Sequence, residues 1–281
     1  MISPKRSTQS LEIERVRDGS SRARRDVVTV EEPLEIRLAT ANSGTPIEHS
    51  VSVTMRTPGA DFELAAGFLF TEGIIAARTE IAEIRYCQDT QPQEYNIVTV
   101  VLRDGVPFDP AQLTRNFYMT SSCGVCGKAS LEAIEVTCAP LPDGDLVVDR
   151  SIVATMPDIL AAAQPVFERT GGIHAASLID AAGAPRVTRE DVGRHNAVDK
   201  VIGHTLLESV LPAADTVLAV SGRASFEIMQ KALAGGIPMV VAVGAPSSLA
   251  VDVARRFNQT LIGFARPAGY NIYTGSSRVA G

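Results

Sequence analysis

The feature that most constrains this chain is a rhythm in its second half. Short apolar runs alternate there with helix-length amphipathic stretches. Pro157 to Arg169 reads as a helix with Pro157 and Asp158 in its first turn, ended by Gly171-Gly172. His174 to Asp180 and Arg186 to Asp191 read as strands joined at Ala182-Gly183, and Arg194 to Glu208 as a helix. Then follow a strand at Val217 to Ser221, a helix at Phe226 to Ala234 and a strand at Met239 to Val243. A helix at Ser248 to Phe257 and a strand at Leu261 to Ala265 complete the series. This α-β-β-α-β-α-β-α-β order predicts an α/β fold: a largely parallel sheet with helices on both faces, since strands with no polar face must be covered twice.

The first half has another texture. Val27 to Val30, Leu34 to Leu38, Ile47 to Met55, Ile81 to Tyr86, Tyr95 to Leu102 and Asn116 to Met119 carry β-branched residues in strand-like alternation. One helix interrupts them, Asp61 to Phe70, between Pro58-Gly59 and Gly73. A proline-containing loop, Ala139 to Gly144, separates the halves, and a boundary falls near residue 150. The expected organisation is a basic flexible tail over 1–26, a smaller, mostly-β N-terminal domain over 27–150 and an α/β domain over 151–281. The tail to Arg25 holds seven basic and three acidic residues, whereas the whole chain of 281 residues has a net charge of −6.

That mild acidity argues against nucleic acid as the main partner. A hydrophobic content of 45% excludes disorder over most of the length. The longest uncharged stretch, Ala232 to Val251, is broken by Gly235-Gly236, Pro238 and Pro246, so it reads as turn, strand and turn rather than as a membrane span. No apolar run follows the basic N-terminal residues as a signal peptide requires, and four cysteines do not make a disulfide framework. The expected compartment is the cytoplasm.

In open parallel sheets, ligands sit outside the carboxyl ends of the strands. Three exits here are rich in small residues and lead toward helices or a basic turn. They are Ser221-Gly222-Arg223-Ala224-Ser225, Gly244-Ala245-Pro246-Ser247-Ser248 and Phe264-Ala265-Arg266-Pro267-Ala268-Gly269. Helix N-termini with Arg223 and Arg266 suggest a phosphate- or diphosphate-binding edge, against ordinary capping. Glu190 to Lys200 packs Arg194, His195 and Lys200 at a strand-to-helix junction, either facing an anion or forming a solvated helix face with i, i+4 pairs. Glu227, between Arg223 and Lys231 at i, i+4 on either side, reads as a salt-bridge run.

Cys123-Gly124-Val125-Cys126 is the loudest chemical signal. A structural zinc site needs four ligands, and Cys87 and Cys138 stand alone at unsuitable spacings. A redox pair expects a strand and a helix on either side. A nucleophilic or sulfur-carrying thiol also fits: a helix over Lys128 to Val136 and the Lys128 ammonium would both favour the thiolate. The spacing leaves these readings open.

Five blocks together resemble the formate dehydrogenase accessory sulfurtransferase family, FdhD. They are Ser121-Ser122-Cys123-Gly124-Val125-Cys126-Gly127, Gly171-Gly172-Ile173-His174-Ala175-Ala176, Glu190 to Lys200, Ser221-Gly222-Arg223-Ala224-Ser225-Phe226-Glu227 and Ala245-Pro246-Ser247-Ser248-Leu249-Ala250. The resemblance runs from about Val27 to Tyr273. It implies a sulfur carrier that takes persulfide sulfur from a cysteine desulfurase and passes it to a molybdenum (or tungsten) bis(molybdopterin guanine dinucleotide) cofactor destined for formate dehydrogenase. The persulfide would form on Cys123, with Cys126 assisting. The family's cofactor segment maps onto Phe264, Ala265, Arg266, Pro267, Ala268 and Gly269. Arg194, His195, Ser221 and Arg223 would position phosphates and guanine, with GDP as a mimic. The resemblance further implies a cytidine-deaminase-like second half and a homodimer. Zinc deaminase chemistry itself is not expected, because Ala175-Ala176 follow His174 where that chemistry wants a glutamate, and the CxxC precedes the histidine. Two other readings are a cofactor-binding chaperone without sulfur transfer and a thiol-disulfide oxidoreductase.

Overall fold

The computed structural model describes residues 5–40, 47–88, 93–108 and 138–281. The expected strand at Asn116 to Met119, the cysteine loop and the helix after it lie outside the described residues.

The chain opens with a hairpin, β1 (Thr8–Arg17) and β2 (Ser20–Thr29), where the composition suggests a mobile tail. The correction has a local cause. Asp18-Gly19, both at positive φ, form a two-residue turn between runs that pair in register from Thr8↔Thr29 to Arg17↔Ser20. That dipeptide is a strong hairpin signal, which the basic charge obscures.

Next come β3 (Glu32–Thr40), β4 (Ile47–Arg56), α1 (Asp61–Thr71), β5 (Ile81–Tyr86) and β6 (Ile97–Leu102). The strands form a sheet in the order β4-β3-β6-β5. Its core joins Leu34, Ile36 and Leu38 of β3 and Val98 and Val100 of β6 to Leu64 and Leu69 of α1. Arg56 at the end of β4 is fully buried. It donates to both Asp61 carboxylate oxygens, at 3.2 and 3.0 Å, and to the Tyr95 carbonyl at 3.1 Å.

After β7 (Val148–Asp149) come α2 (Arg150–Ala162), α3 (Pro165–Thr170), β8 (His174–Asp180), β9 (Pro185–Asp191), α4 (Arg194–Leu207) and β10 (Thr216–Val220). They are followed by α5 (Phe226–Ala234), β11 (Met239–Ala242), α6 (Ser248–Arg256), β12 (Thr260–Arg266), β13 (Gly269–Thr274) and β14 (Val279–Ala280), which pairs with β7. The expected helix from Pro157 is instead two helices. Asp149 caps α2 by accepting from the Ser151 N–H at 2.7 Å, so Pro157 falls inside that helix, and Pro165 starts α3.

The six-stranded sheet runs β13-β12-β11-β10-β8-β9. Only β10, β11 and β12 are mutually parallel, while β8, β9 and β13 pair antiparallel with their neighbours, so the sheet is mixed rather than largely parallel. Alternation along each strand divides the side chains between two cores. Leu218, Val220, Val240 and Ala242 meet α4, α5 and α6, whereas Val217, Ala219, Met239 and Val241 meet α2. The result is a mixed α/β fold with helices on both faces of its larger sheet.

Helices α1 and α4 lock the two sheets together. A Cβ added at Gly67 would lie 2.8 Å from the Gly203 nitrogen, and one at Gly203 would lie 2.8 Å from the Gly67 nitrogen. The two backbones touch, and nothing larger than glycine fits. Gly67→Ala or Gly203→Ala must push the helices apart. The expected cost is at least about 2 kcal/mol, read as a lower midpoint in urea unfolding, whereas Gly144→Ala, which meets open space, leaves the midpoint in place.

Candidate functional site

Strand direction builds the site. Because β8 runs antiparallel between β9 and β10, the exits of β9, β10, β11 and β12 gather at one edge, and the start of β8 lies among them. Backbone hydrogen bonds zip the exit loops together. Gly244 N–H donates to the Gly222 carbonyl at 2.9 Å, Ser247 N–H to Ala224 at 3.0 Å and Phe264 N–H to Gly244 at 3.0 Å. Gly244 is required, since a Cβ there would lie 2.8 Å from the Gly222 oxygen and 2.9 Å from the Arg223 backbone. Helices α4, α5 and α6 all start at this edge. Ser247 caps α6, whereas among the described residues no side chain caps the first turn of α4 or α5, the kind of helix start whose N–H groups can take an anion.

On the α2 face a cleft of about 520 Å³ opens at the edge. Pro157, Leu160, Phe167, Ile173 and Val243 give it apolar walls, and Gln164, His174, Ser221 and Arg266 give it polar groups. Ser221 Oγ accepts from the Ala175 N–H at 2.9 Å. Arg266 donates through Nη1 to the carbonyls of Val243 at 2.6 Å and Ala265 at 2.7 Å, which fixes its guanidinium beside the cleft. Gln164 is 5% exposed.

His174 and Arg194 stand together over Gly222. A Cβ at Gly222 would lie 3.5 Å from His174 Nδ1 and 3.6 Å from Arg194 Cδ. Arg194 Nε is buried without a hydrogen-bond partner among the described residues. Desolvation, then the Arg194 charge and then His195, hold the His174 pKa below its ordinary 6.5, against a smaller opposing pull from Asp191. His174 is therefore neutral at neutral pH.

On the other side of the edge, His195 Nε2 lies 2.9 Å from Glu227 Oε2 and 3.3 Å from Ser225 Oγ. Contact with His195 lowers the Glu227 pKa. Glu227 thus serves His195, not the expected Arg223 and Lys231 run. Lys231 turns inward to Asp199 at 2.9 Å and Glu72 at 3.3 Å. Lys200 also leaves the anticipated anion site: it is buried, bonded to Asp191 at 2.6 Å and to the Thr57 carbonyl at 2.9 Å.

Of the anticipated cofactor residues, Ser221, Arg266 and Pro267 line the cleft. Arg223, Ala268 and Gly269 are exposed at the same edge. Phe264 is 48% exposed with φ of 53°, an uncommon conformation for a bulky residue. Ala265 is fully buried among the side chains facing α2, so it offers only its backbone. Gln164 and Phe167 escape sequence reasoning because the break between α2 and α3 carries them to the cleft. His174 has a signal, its place after Gly171-Gly172, but a lone histidine is usually structural. Cys123 and Cys126 lie outside the described residues.

This geometry defines an α/β protein with an anion-attracting edge of strand exits and an apolar cleft beside it. A family model described as FdhD/NarQ matches residues 29–280, and the chain belongs to that family. It is 49% identical over 280 residues to the sulfur carrier protein FdhD of Streptomyces coelicolor, covering 98% of this chain and 96% of that one. It is 51% identical over 265 residues to the sulfur carrier protein FdhD of Mycolicibacterium paratuberculosis, covering 93% and 94% of the two chains. A crystal structure of a candidate formate dehydrogenase accessory protein from Desulfotalea psychrophila superposes with a TM-score of 0.75 at 26% identity, covering 98% of this chain and all of that one.

The electrostatics of the edge are directly measurable. In histidine NMR titrations His174 should titrate below 6.5, and Arg194→Gln should raise its midpoint by removing a neighbouring positive charge. Folding binds this proton less readily than the unfolded chain does. The His174 contribution to stability is therefore full above about pH 6.5 and is lost as pH falls toward the folded-state value.

Proposed function

We propose that this protein is a sulfur carrier of formate dehydrogenase maturation, working on a bound guanine dinucleotide form of the molybdenum or tungsten cofactor in the cytoplasm. Family membership supports the carrier role. The observation that carries the cofactor assignment is the convergence of two uncapped helix N-termini, Arg194 with its unpartnered Nε, and Arg266 on one edge beside an apolar cleft. Such an edge suits a ligand with several phosphates and flat heterocycles: N–H groups and guanidinia take the phosphates, and walls such as Phe167 and Ile173 take a ring.

In the first step, the Cys123 thiolate attacks the terminal sulfur of a desulfurase persulfide. A new S–S bond forms on Cys123, the donor S–S bond breaks, and the desulfurase cysteine leaves as a thiolate, so no net redox change occurs. Cys126 assists without being the acceptor. In the second step the S–S bond of the Cys123 persulfide breaks, Cys123 leaves as a thiolate, and the outer, sulfane-level sulfur bonds to the reduced cofactor, which as the substrate of this step supplies the two electrons that make it sulfide. His174, neutral and next to Arg194, holds its lone pair in reserve and takes up a proton as phosphate arrives.

Two measurements test the proposal. After incubation with a cysteine desulfurase and L-cysteine, intact-protein mass spectrometry should show one or more added sulfur atoms, removed by reductant and absent in Cys123→Ala. No addition to the wild type, with the desulfurase active, would sink the sulfur step and leave a cofactor-binding chaperone. In calorimetry, GDP should bind about tenfold more weakly to Arg194→Ala or Arg266→Ala, the loss expected for one charge-assisted hydrogen bond. Binding should tighten as pH falls through the His174 midpoint, because an anion favours the protonated ring. Unchanged affinity in both variants would remove the edge from the ligand site.

A further inference from the structure

The hairpin β1–β2 gives no side chain to any of the three cores, yet its charges are sorted. Directly opposed residues share a face. One face carries Gln9↔Val28, Leu11↔Asp26, Ile13↔Arg24, Arg15↔Arg22 and Arg17↔Ser20. The other carries Thr8↔Thr29, Ser10↔Val27, Glu12↔Arg25, Glu14↔Ala23 and Val16↔Ser21. Four arginines and one aspartate therefore lie on the first face, against one arginine and two glutamates on the second. Arg15 and Arg22 are directly opposed, a like-charge pairing that costs stability. None of the four arginines has an ion-pair partner among the described residues, and all four are exposed.

The foot of the hairpin is fastened to the rim of the cleft. Thr29 Oγ1 is bonded to Thr170 Oγ1 at 2.9 Å and to the Gly172 carbonyl at 3.1 Å, and Gly172 lines the cleft. Thr29 belongs to the face without the four arginines, so the arginine face is turned away from α3. With ten residues per strand, the arm reaches about 34 Å from that rim.

We infer that the arginine face is a docking surface for a carboxylate-rich segment of a partner protein, carried on an arm whose foot is fastened at the rim of the cleft. Charge complementarity argues for an acidic occupant. Leu11, Ile13 and Val28 on the same face argue for protein, because guanidinia beside aliphatic side chains are the composition of protein interfaces, and the free strand edges offer backbone hydrogen bonds to an added strand. The net charge of −6 opposes a nucleic acid or an anionic membrane. The inference is independent of the sulfur-transfer reading.

The test uses the full chain and a fluorescein-labelled oligoglutamate peptide, followed by anisotropy at low and physiological salt. The wild type should bind, and the quadruple variant Arg15→Gln, Arg17→Gln, Arg22→Gln and Arg24→Gln should bind at least about tenfold more weakly. Arg25→Gln, which removes a charge from the opposite face, should bind as the wild type does. Equal losses from both faces would overturn the inference, as would wild-type binding with no amide-exchange protection over residues 8–29. Tighter, arginine-dependent binding of a single-stranded oligonucleotide or of phosphatidylglycerol vesicles would overturn it in favour of those partners. Amide exchange needs only the wild type, so the result does not depend on the variant folding.

Discussion

The backbone contact between Gly67 of α1 and Gly203 of α4 sets the geometry of everything around it. It fixes how close the four-stranded sheet can come to the six-stranded one. It also fixes the axis of α4, whose first residue is Arg194. The polar residues beside the contact depend on that closeness. Asn196 donates to the Met55 carbonyl at 2.8 Å, Lys200 to Thr57, and Thr57 N–H to Asp191 at 3.2 Å. These groups are buried, so each must be satisfied, and a small separation would leave several without partners. Asp199 shows the stakes. Burial raises its pKa, and Lys231 and Thr71 on neighbouring helices oppose that effect.

The same junction delivers chemistry to the sheet edge. Asp191 ends β9, binds the Gly193 N–H at 2.8 Å and pairs with Lys200, which fixes the turn into α4. That turn presents Arg194 toward His174 on one side and His195 toward Glu227 on the other. The charged residues of this segment thus divide into two groups. Asp191, Asn196, Asp199 and Lys200 hold the sheets together, and Arg194 and His195 face the edge.

Much of this was legible in the sequence where local signals rule. The helix read over Phe226 to Ala234 has those bounds, and the helix read from Asp61 begins there. The five strands read in the second half agree to within a residue, while β13 went unread. What escaped depends on distant partners. Nothing in the segment Asp149 to Thr170 announces that Asp149 outcompetes Pro157 as a helix start. Strand direction cannot be read from apolar runs, so the antiparallel insertion of β8 was invisible. The small-residue exits do gather and bond to one another at one edge of the sheet, because glycine and serine are what close loop packing requires. The lysines misled: Lys200 and Lys231 look like surface charge, and only the assembled core supplies the carboxylates that let them go inside.

The glycine contact also orders events in time. On a nascent chain, α1 is complete well over a hundred residues before α4 emerges, and its glycine-lined flank has no mate until then. The edge that holds Arg194, His174 and Ser221 has no existence in the first half alone. Every strand and helix that builds it lies beyond residue 150, so a chain cut short after α1 exposes the glycine flank and none of the edge.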